Sequence, residues 1–150
     1  MIETKYRPLL GITIGDPSGI GPEIILKALD EEGIYEICKP VVLGPEEVLI
    51  RAGKVIGKES LNIHKIENPK DGIYEKGTID IIEPGKYDLE TLVWGKEQAL
   101  AGQIAIDSIK LSIKLGMEKK LDAVTTAPIN KVAIKMVGVK QEVIQRFIEI

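Results

Sequence analysis

One cysteine, one histidine, one tryptophan and one phenylalanine are all that this 150-residue chain holds of those four types. A single cysteine, Cys38, excludes an intrachain disulfide and suits a reducing compartment. Cys38 reads as a small core residue, because a catalytic thiol needs a nearby base and the lone His64 gives little help. His64 stands isolated in the strand-like IHKI, and the acidic residues show no ligand spacing, so the chain alone does not read as a metal site. No apolar run approaches the length needed to cross a bilayer. The opening MIETKYRPLLGITIGD has neither the apolar core nor the cleavage site of a signal peptide. Charge of one sign is missing too. Twenty Lys and Arg stand against 23 Asp and Glu, a net charge of -3, scattered rather than gathered in a stripe. That leaves no electrostatic case for nucleic acid or for an anionic membrane. With 44% apolar and 29% charged residues, the expectation is a soluble cytoplasmic domain long enough to bury a core.

What is present alternates. Short β-branched runs are followed by longer helical periods, the pattern of an α/β sheet protein. Residues 9–14 (LLGITI) form a continuous apolar run, as a strand buried on both faces does. Pro22 suits the first helical position, Ile24, Ile25, Ala28 and Leu29 mark one helical face, and Gly33 is a stop signal. Further strands are predicted over 41–43, 63–66, 78–82 and 122–126. Helices are predicted over 46–52, 96–115 and 129–137, with residues 83–94 irregular. In the long helix, Leu100, Ala101, Ile104, Ala105, Ile109 and Ile113 share a face with Ser108 and Ser112, and Gly116 ends it.

Two junctions look alike. At Gly15–Pro22 (GDPSGIGP) and at Thr125–Pro128 (TTAP), a buried strand gives way to small and hydroxylated residues, and a proline starts the next helix. Open parallel sheets bind ligands beyond the carboxyl ends of their strands. Gly15, Gly19 and Gly21 permit positive φ or close backbone approach. Asp16, Ser18, Gly19, Thr126, Asn130 and Lys131 are the candidate cleft-lining residues. Lys131 in a first helical turn opposes the helix dipole, a placement that makes sense facing an anion. The same residues also make ordinary turns, and composition alone does not choose between a site and a tight connection. Neither a P-loop nor the G-x-G-x-x-G fingerprint occurs, because Gly19-Ile20-Gly21 runs into Pro22-Glu23-Ile24.

GITIGDPSGIGPEI at 11–24, AGQIAIDSI at 101–109 and DAVTTAPINK at 122–131 together resemble the 4-hydroxythreonine-4-phosphate dehydrogenase family of pyridoxal phosphate biosynthesis. The resemblance runs from about residue 8 to Val139. It implies a three-layer α/β/α fold with a mostly parallel sheet, part of a two-domain dehydrogenase of the isocitrate and isopropylmalate dehydrogenase type, working as a homodimer. It further implies NAD as cofactor, a divalent metal held by three histidines, and oxidation of a phosphorylated hydroxy acid, 4-phosphohydroxy-L-threonine, followed by decarboxylation. Both junctions then line the cleft.

Soon after the helix that follows TAPINK the family carries a Gly-His-Thr-Glu motif, whereas this chain reads VKQEVIQRFIEI over 139–150. Two regions are therefore expected, a family-like one over 1–139 and a divergent tail over 140–150 with Val143, Ile144, Phe147 and Ile148 as an apolar stripe. The metal and cofactor region is expected to be absent, and the chain to be a shortened, inactive relative. The alternative is a non-catalytic module that folds, self-associates and at most binds a phosphorylated four-carbon hydroxy acid.

Overall fold

The computed structural model describes residues 5–140, together with Glu142, Val143 and Arg146. Five strands carry the fold: β1 (Leu9–Thr13), β2 (Lys39–Leu43), β3 (Ile63–Lys65), β4 (Ile79–Ile82) and β5 (Ala123–Thr126). They pair in the order β3-β4-β2-β1-β5, and every pairing is parallel. Helices α1 (Gly21–Asp30), α2 (Ile34–Ile37), α3 (Glu46–Val55), α4 (Ala99–Met117) and α5 (Lys131–Met136) make the connections.

Period-two alternation decides which layer each strand residue supports. Val42 and Ile81 point into a core built with Ile25, Leu26 and Leu29 of α1 and Val48, Leu49 and Ala52 of α3. Val41, Leu43 and Ile82 point the other way, onto Leu115 at the end of α4 and Leu121. Burying an apolar side chain of this size stabilises by roughly 1.5–3 kcal/mol, so each face of β2 holds a helical layer. The result is the expected α/β/α sandwich. Cys38 is a buried core residue whose thiol donates to the Ile34 carbonyl, and burial pushes that thiol up from its ordinary pKa.

Several local expectations are corrected. The inward face of α1 is Ile25, Leu26 and Leu29, while Ile24 is exposed. This helix lies against α3 and the sheet on one side only, and an apolar residue one position off that side meets solvent. Gly33, at φ 90°, caps the start of α2. Gly116 lies inside α4, which ends at Met117. The same helix begins at Ala99, so Lys96, Glu97 and Gln98 belong to the preceding loop. Pro128 does not start a helix, since Asn130 is the cap of α5.

The largest departure is β5, which reads as a buried strand and is exposed along all four residues. Among the described residues it pairs with β1 alone, so one edge and much of its surface have no cover. Of the tail expected over 140–150, only Lys140, Glu142, Val143 and Arg146 are described, Val143 being exposed, and the expected stripe residues Ile144, Phe147 and Ile148 lie outside the described residues.

His64 is not isolated. Asp80, fully buried, pairs with it across β3 and β4, its Oδ1 lying 2.8 Å from His64 Nδ1. The same carboxylate accepts the N–H of Ile73 at 2.9 Å and of Tyr74 at 2.8 Å. Three donors on one carboxylate compensate its burial. They also pin the 66–78 connection, where Tyr74 takes the left-handed conformation at φ 54°.

Candidate functional site

The sheet order places a change of winding direction between β1 and β5. From β1 the chain moves through α1 toward β2, whereas β5 pairs with the other side of β1. Loops leaving adjacent strands in opposite directions open a crevice at their carboxyl ends, the usual ligand position in such sheets. The loops that meet here are residues 14–20 and 127–130, the two junctions marked by the sequence.

They touch through backbone. The Asp16 N–H donates to the Pro128 carbonyl at 2.8 Å. A Cβ on Gly15, whose φ is +72°, would lie 2.5 Å from that same carbonyl oxygen and 2.8 Å from Ala127 backbone. One on Gly21 would lie 2.8 Å from the Ile14 carbonyl and 3.2 Å from Ala127 Cβ. The density of glycine and proline at 15–22 thus has a steric cause. Two main chains approach too closely for side chains to stand between them. Gly19 is different, since a Cβ there meets only the Asp16 side chain, at 3.2 Å.

Each candidate residue has a definite place. Asp16 Oδ1 accepts the Ser18 N–H at 3.0 Å and lies 2.9 Å from Ser18 Oγ, a local turn that any aspartate followed two residues on by serine can make. Ser18 is buried, and its hydroxyl also lies 3.0 Å from the Lys96 carbonyl. Thr126 Oγ1 accepts from Thr13 Oγ1 at 2.6 Å and donates to the Ala127 carbonyl at 3.0 Å. Asn130 Oδ1 accepts the N–H groups of Val132 and Ala133, at 2.9 and 3.0 Å, which caps α5. Ser18, Thr126 and Asn130 therefore spend their polar groups on the fold. Asp16 Oδ2 has no hydrogen-bond partner among the described residues, and Lys131 is exposed.

A third segment, hidden in the sequence by the long helical period, joins the two junctions. Gly95 N–H donates to the Ser18 carbonyl at 2.7 Å, and Asn130 Nδ2 donates to Glu97 Oε1 at 3.3 Å. Ser18 and Asn130 are thus held by neighbouring residues, Lys96 and Glu97, of one loop. Gln98 folds that loop, donating to the Val93 carbonyl at 2.6 Å and accepting the Val93 N–H at 3.1 Å. Behind it the Arg51 guanidinium stands 5.3 Å from the Trp94 ring and donates to the Leu92 carbonyl at 3.2 Å. The available signal was Gly95, a break one residue ahead of the predicted helix start.

Comparisons with known proteins identify the family of this chain. The family described as pyridoxal phosphate biosynthetic protein PdxA matches residues 36–149. A relative from Symbiobacterium thermophilum, named for D-threonate 4-phosphate dehydrogenase, is 48% identical over 129 residues, 86% of this chain and 38% of its own length. A 4-hydroxythreonine-4-phosphate dehydrogenase from Desulforapulum autotrophicum is 42% identical over 137 residues, 91% of this chain and 40% of its own. The crystal structure of a 4-hydroxythreonine-4-phosphate dehydrogenase from Burkholderia phymatum superposes with a TM-score of 0.86 at 35% identity, covering 97% of this chain and 45% of that one. The chain spans about two fifths of the length of these curated relatives.

Proposed function

The chain belongs to the PdxA family of pyridoxal phosphate biosynthetic proteins, and on that premise we propose that it forms one wall of a cleft holding a phosphorylated four-carbon hydroxy acid. The substrates that fit are 4-phosphohydroxy-L-threonine and its close relative D-threonate 4-phosphate, in an NAD-dependent oxidation. The observation that carries the reading is the direct backbone bond from Asp16 to Pro128 at the β1–β5 switch point. It leaves the free Asp16 Oδ2 and the Lys131 ammonium at the same end of the sheet. In this reading Asp16 accepts a substrate hydroxyl, Gly19 leaves room for it, and Lys131 faces the phosphate. Ser18, Thr126 and Asn130 hold the two loops in place.

The residues of this chain do not fit the metal that the resemblance implies. The chain has one histidine, and among the described residues no three metal-ligating side chains come together. Nor do the loop glycines cradle a dinucleotide pyrophosphate, because Gly15 and Gly21 face protein backbone. No hydride or metal step is assigned to these residues. The 150-residue chain by itself is proposed to bind substrate without oxidising it, with oligomerisation accompanying that role.

Calorimetric titration tests the binding part and an NADH assay the other. Heat is expected with either phosphorylated acid and not with the unphosphorylated ones, and Lys131→Ala is expected to weaken binding roughly 10- to 100-fold, the worth of a charge-assisted contact. Silence with both phosphorylated acids refutes the binding role. NADH formation by the chain with 4-phosphohydroxy-L-threonine or D-threonate 4-phosphate, NAD and a divalent metal, followed by absorbance, refutes the non-turnover part.

A further inference from the structure

We infer that Arg51, on α3, is a positioning residue for the Asp16 carboxylate. It acts through the loop at 92–98, and its role rests on the substrate reading in which Asp16 accepts a hydroxyl.

The side chain of Asp16 is only as fixed as Ser18. Its Oδ1 accepts the Ser18 N–H at 3.0 Å and lies 2.9 Å from Ser18 Oγ. Oδ2 is left free beside Gly19, where a Cβ would stand 3.2 Å from it. Ser18 in turn is held from outside the turn. The Gly95 N–H donates to its carbonyl at 2.7 Å, and its hydroxyl lies 3.0 Å from the Lys96 carbonyl. A hydroxyl has one proton, and here two acceptors compete for it. The position of the Lys96 carbonyl therefore decides how firmly Ser18 grips Asp16, and with it where Oδ2 points.

That loop needs an anchor of its own. Gly95, at φ +71°, turns it, and Gln98 ties it only to itself, through Val93 and Lys96. The bond from Asn130 to Glu97 is exposed and 3.3 Å long. What remains is the buried Leu92 side chain and Arg51. Helix α3 is seated in the core by Val48, Leu49 and Ala52. From it, Arg51 Nη2 donates to the Leu92 carbonyl at 3.2 Å, and Cζ lies 5.3 Å from the Trp94 ring centre. Cation–π attraction reaches to about 6 Å. Trp94 packs against the same core. Among the described residues the Arg51 guanidinium meets no carboxylate, so its charge acts on the loop. Leu92 and Trp94 stand directly before the Gly95 and Lys96 backbone groups that hold Ser18. A rigid helix is thus linked to the carboxylate through contacts that each bear on the next.

The test is a set of double-mutant cycles, read by calorimetric titration of 4-phosphohydroxy-L-threonine into the intact chain. Arg51→Ala is expected to weaken binding about tenfold, and Trp94→Leu to act in the same direction. In an Asp16→Ala background, Arg51→Ala is expected to cost less than about twofold, because the carboxylate that it positions is gone. In a Lys131→Ala background the loss of about tenfold is expected to persist, since that ammonium is held by α5. A merely structural arginine would weaken binding equally in both backgrounds. In the ligand-free chain, Arg51→Ala is expected to speed exchange of the Gly95 amide about tenfold by loosening its bond to Ser18. Equal losses in the two backgrounds, an Arg51→Ala constant within about twofold of the unaltered chain, or unchanged Gly95 exchange overturns the inference. If Arg51→Ala does not fold, Trp94→Leu carries the same comparisons. Binding by the unaltered chain with an unmoved Arg51→Ala constant strikes this role alone, whereas silence of the unaltered chain strikes the substrate reading and this role with it.

Discussion

Replacing Gly15 by alanine puts the contact between the two junctions to a direct test. The native φ of +72° costs a non-glycine residue roughly 1–2 kcal/mol. The added Cβ would stand 2.5 Å from the Pro128 oxygen and 2.8 Å from Ala127 backbone. Backbone cannot swing aside as a side-chain tip can, so overpacking adds roughly 1–3 kcal/mol. Separating the loops also weakens the Asp16–Pro128 bond, worth about 1 kcal/mol. Against this, alanine restricts the unfolded chain and returns about 0.4–1 kcal/mol. The net expectation is a loss of about 2–5 kcal/mol. Gly33→Ala is the control, because Gly33 shares the positive φ, at +90°, and has nothing within 4 Å of its Cβ position. It should lose no more than about 1.5 kcal/mol by the same strain and entropy terms. Urea unfolding of the three proteins measures both values, and at this chain length each kcal/mol moves the melting temperature by roughly 2–4 °C. Equal losses for Gly15→Ala and Gly33→Ala would refute the steric account of the loop.

Two further predictions follow from buried polar groups. Asp80→Ala strands the N–H groups of Ile73 and Tyr74, and at about 1–3 kcal/mol for each unpaired buried donor the loss should reach about 3–5 kcal/mol in urea unfolding, with fast amide exchange at both positions; an effect under about 1 kcal/mol would mean that water replaces the carboxylate. Burial and the Asp80 charge push the Tyr35 hydroxyl up to about 12, and burial likewise raises those of Tyr74 and Tyr87. A folded-state pKa above the unfolded value of about 10 means that this stability is complete below pH 10 and is lost as pH rises toward 12. Tyrosinate absorbance should therefore lag well behind that of urea-unfolded protein at pH 11, and coincident titration curves would refute the buried placement.

The elements and their layers were legible because they rest on local chemistry. The short apolar run at 41–43, the apolar face at Val48, Leu49 and Ala52, and the turn residues of 67–72 each act over a few neighbours. The two junctions were legible as well, since glycine and proline at strand ends mark demanding backbone whatever its purpose. Their purpose was not. The sequence pattern fits ligand approach and close packing equally, and only the Pro128 and Ala127 atoms opposite Gly15 and Gly21 identify packing as the reason. The 95–98 loop was hidden because Leu100, Ala101 and Ile104 impose a helical period that says nothing about where the first turn starts.

By itself the sequence determined the α/β class and marked two junctions of demanding backbone, and the resemblance of three motifs supplied the parallel sheet and the family. Local propensity and short-range spacing are enough for the first two. Tertiary structure alone decided that Asp80 grips His64, that Ser18 and Asn130 brace a loop rather than reach outward, and that β5 is an open edge. Those outcomes depend on contacts between segments up to about a hundred residues apart, such as Ser18 with Lys96 and Leu9 with Asp122. Nothing in the linear order of residues records which distant backbone a given side chain will meet.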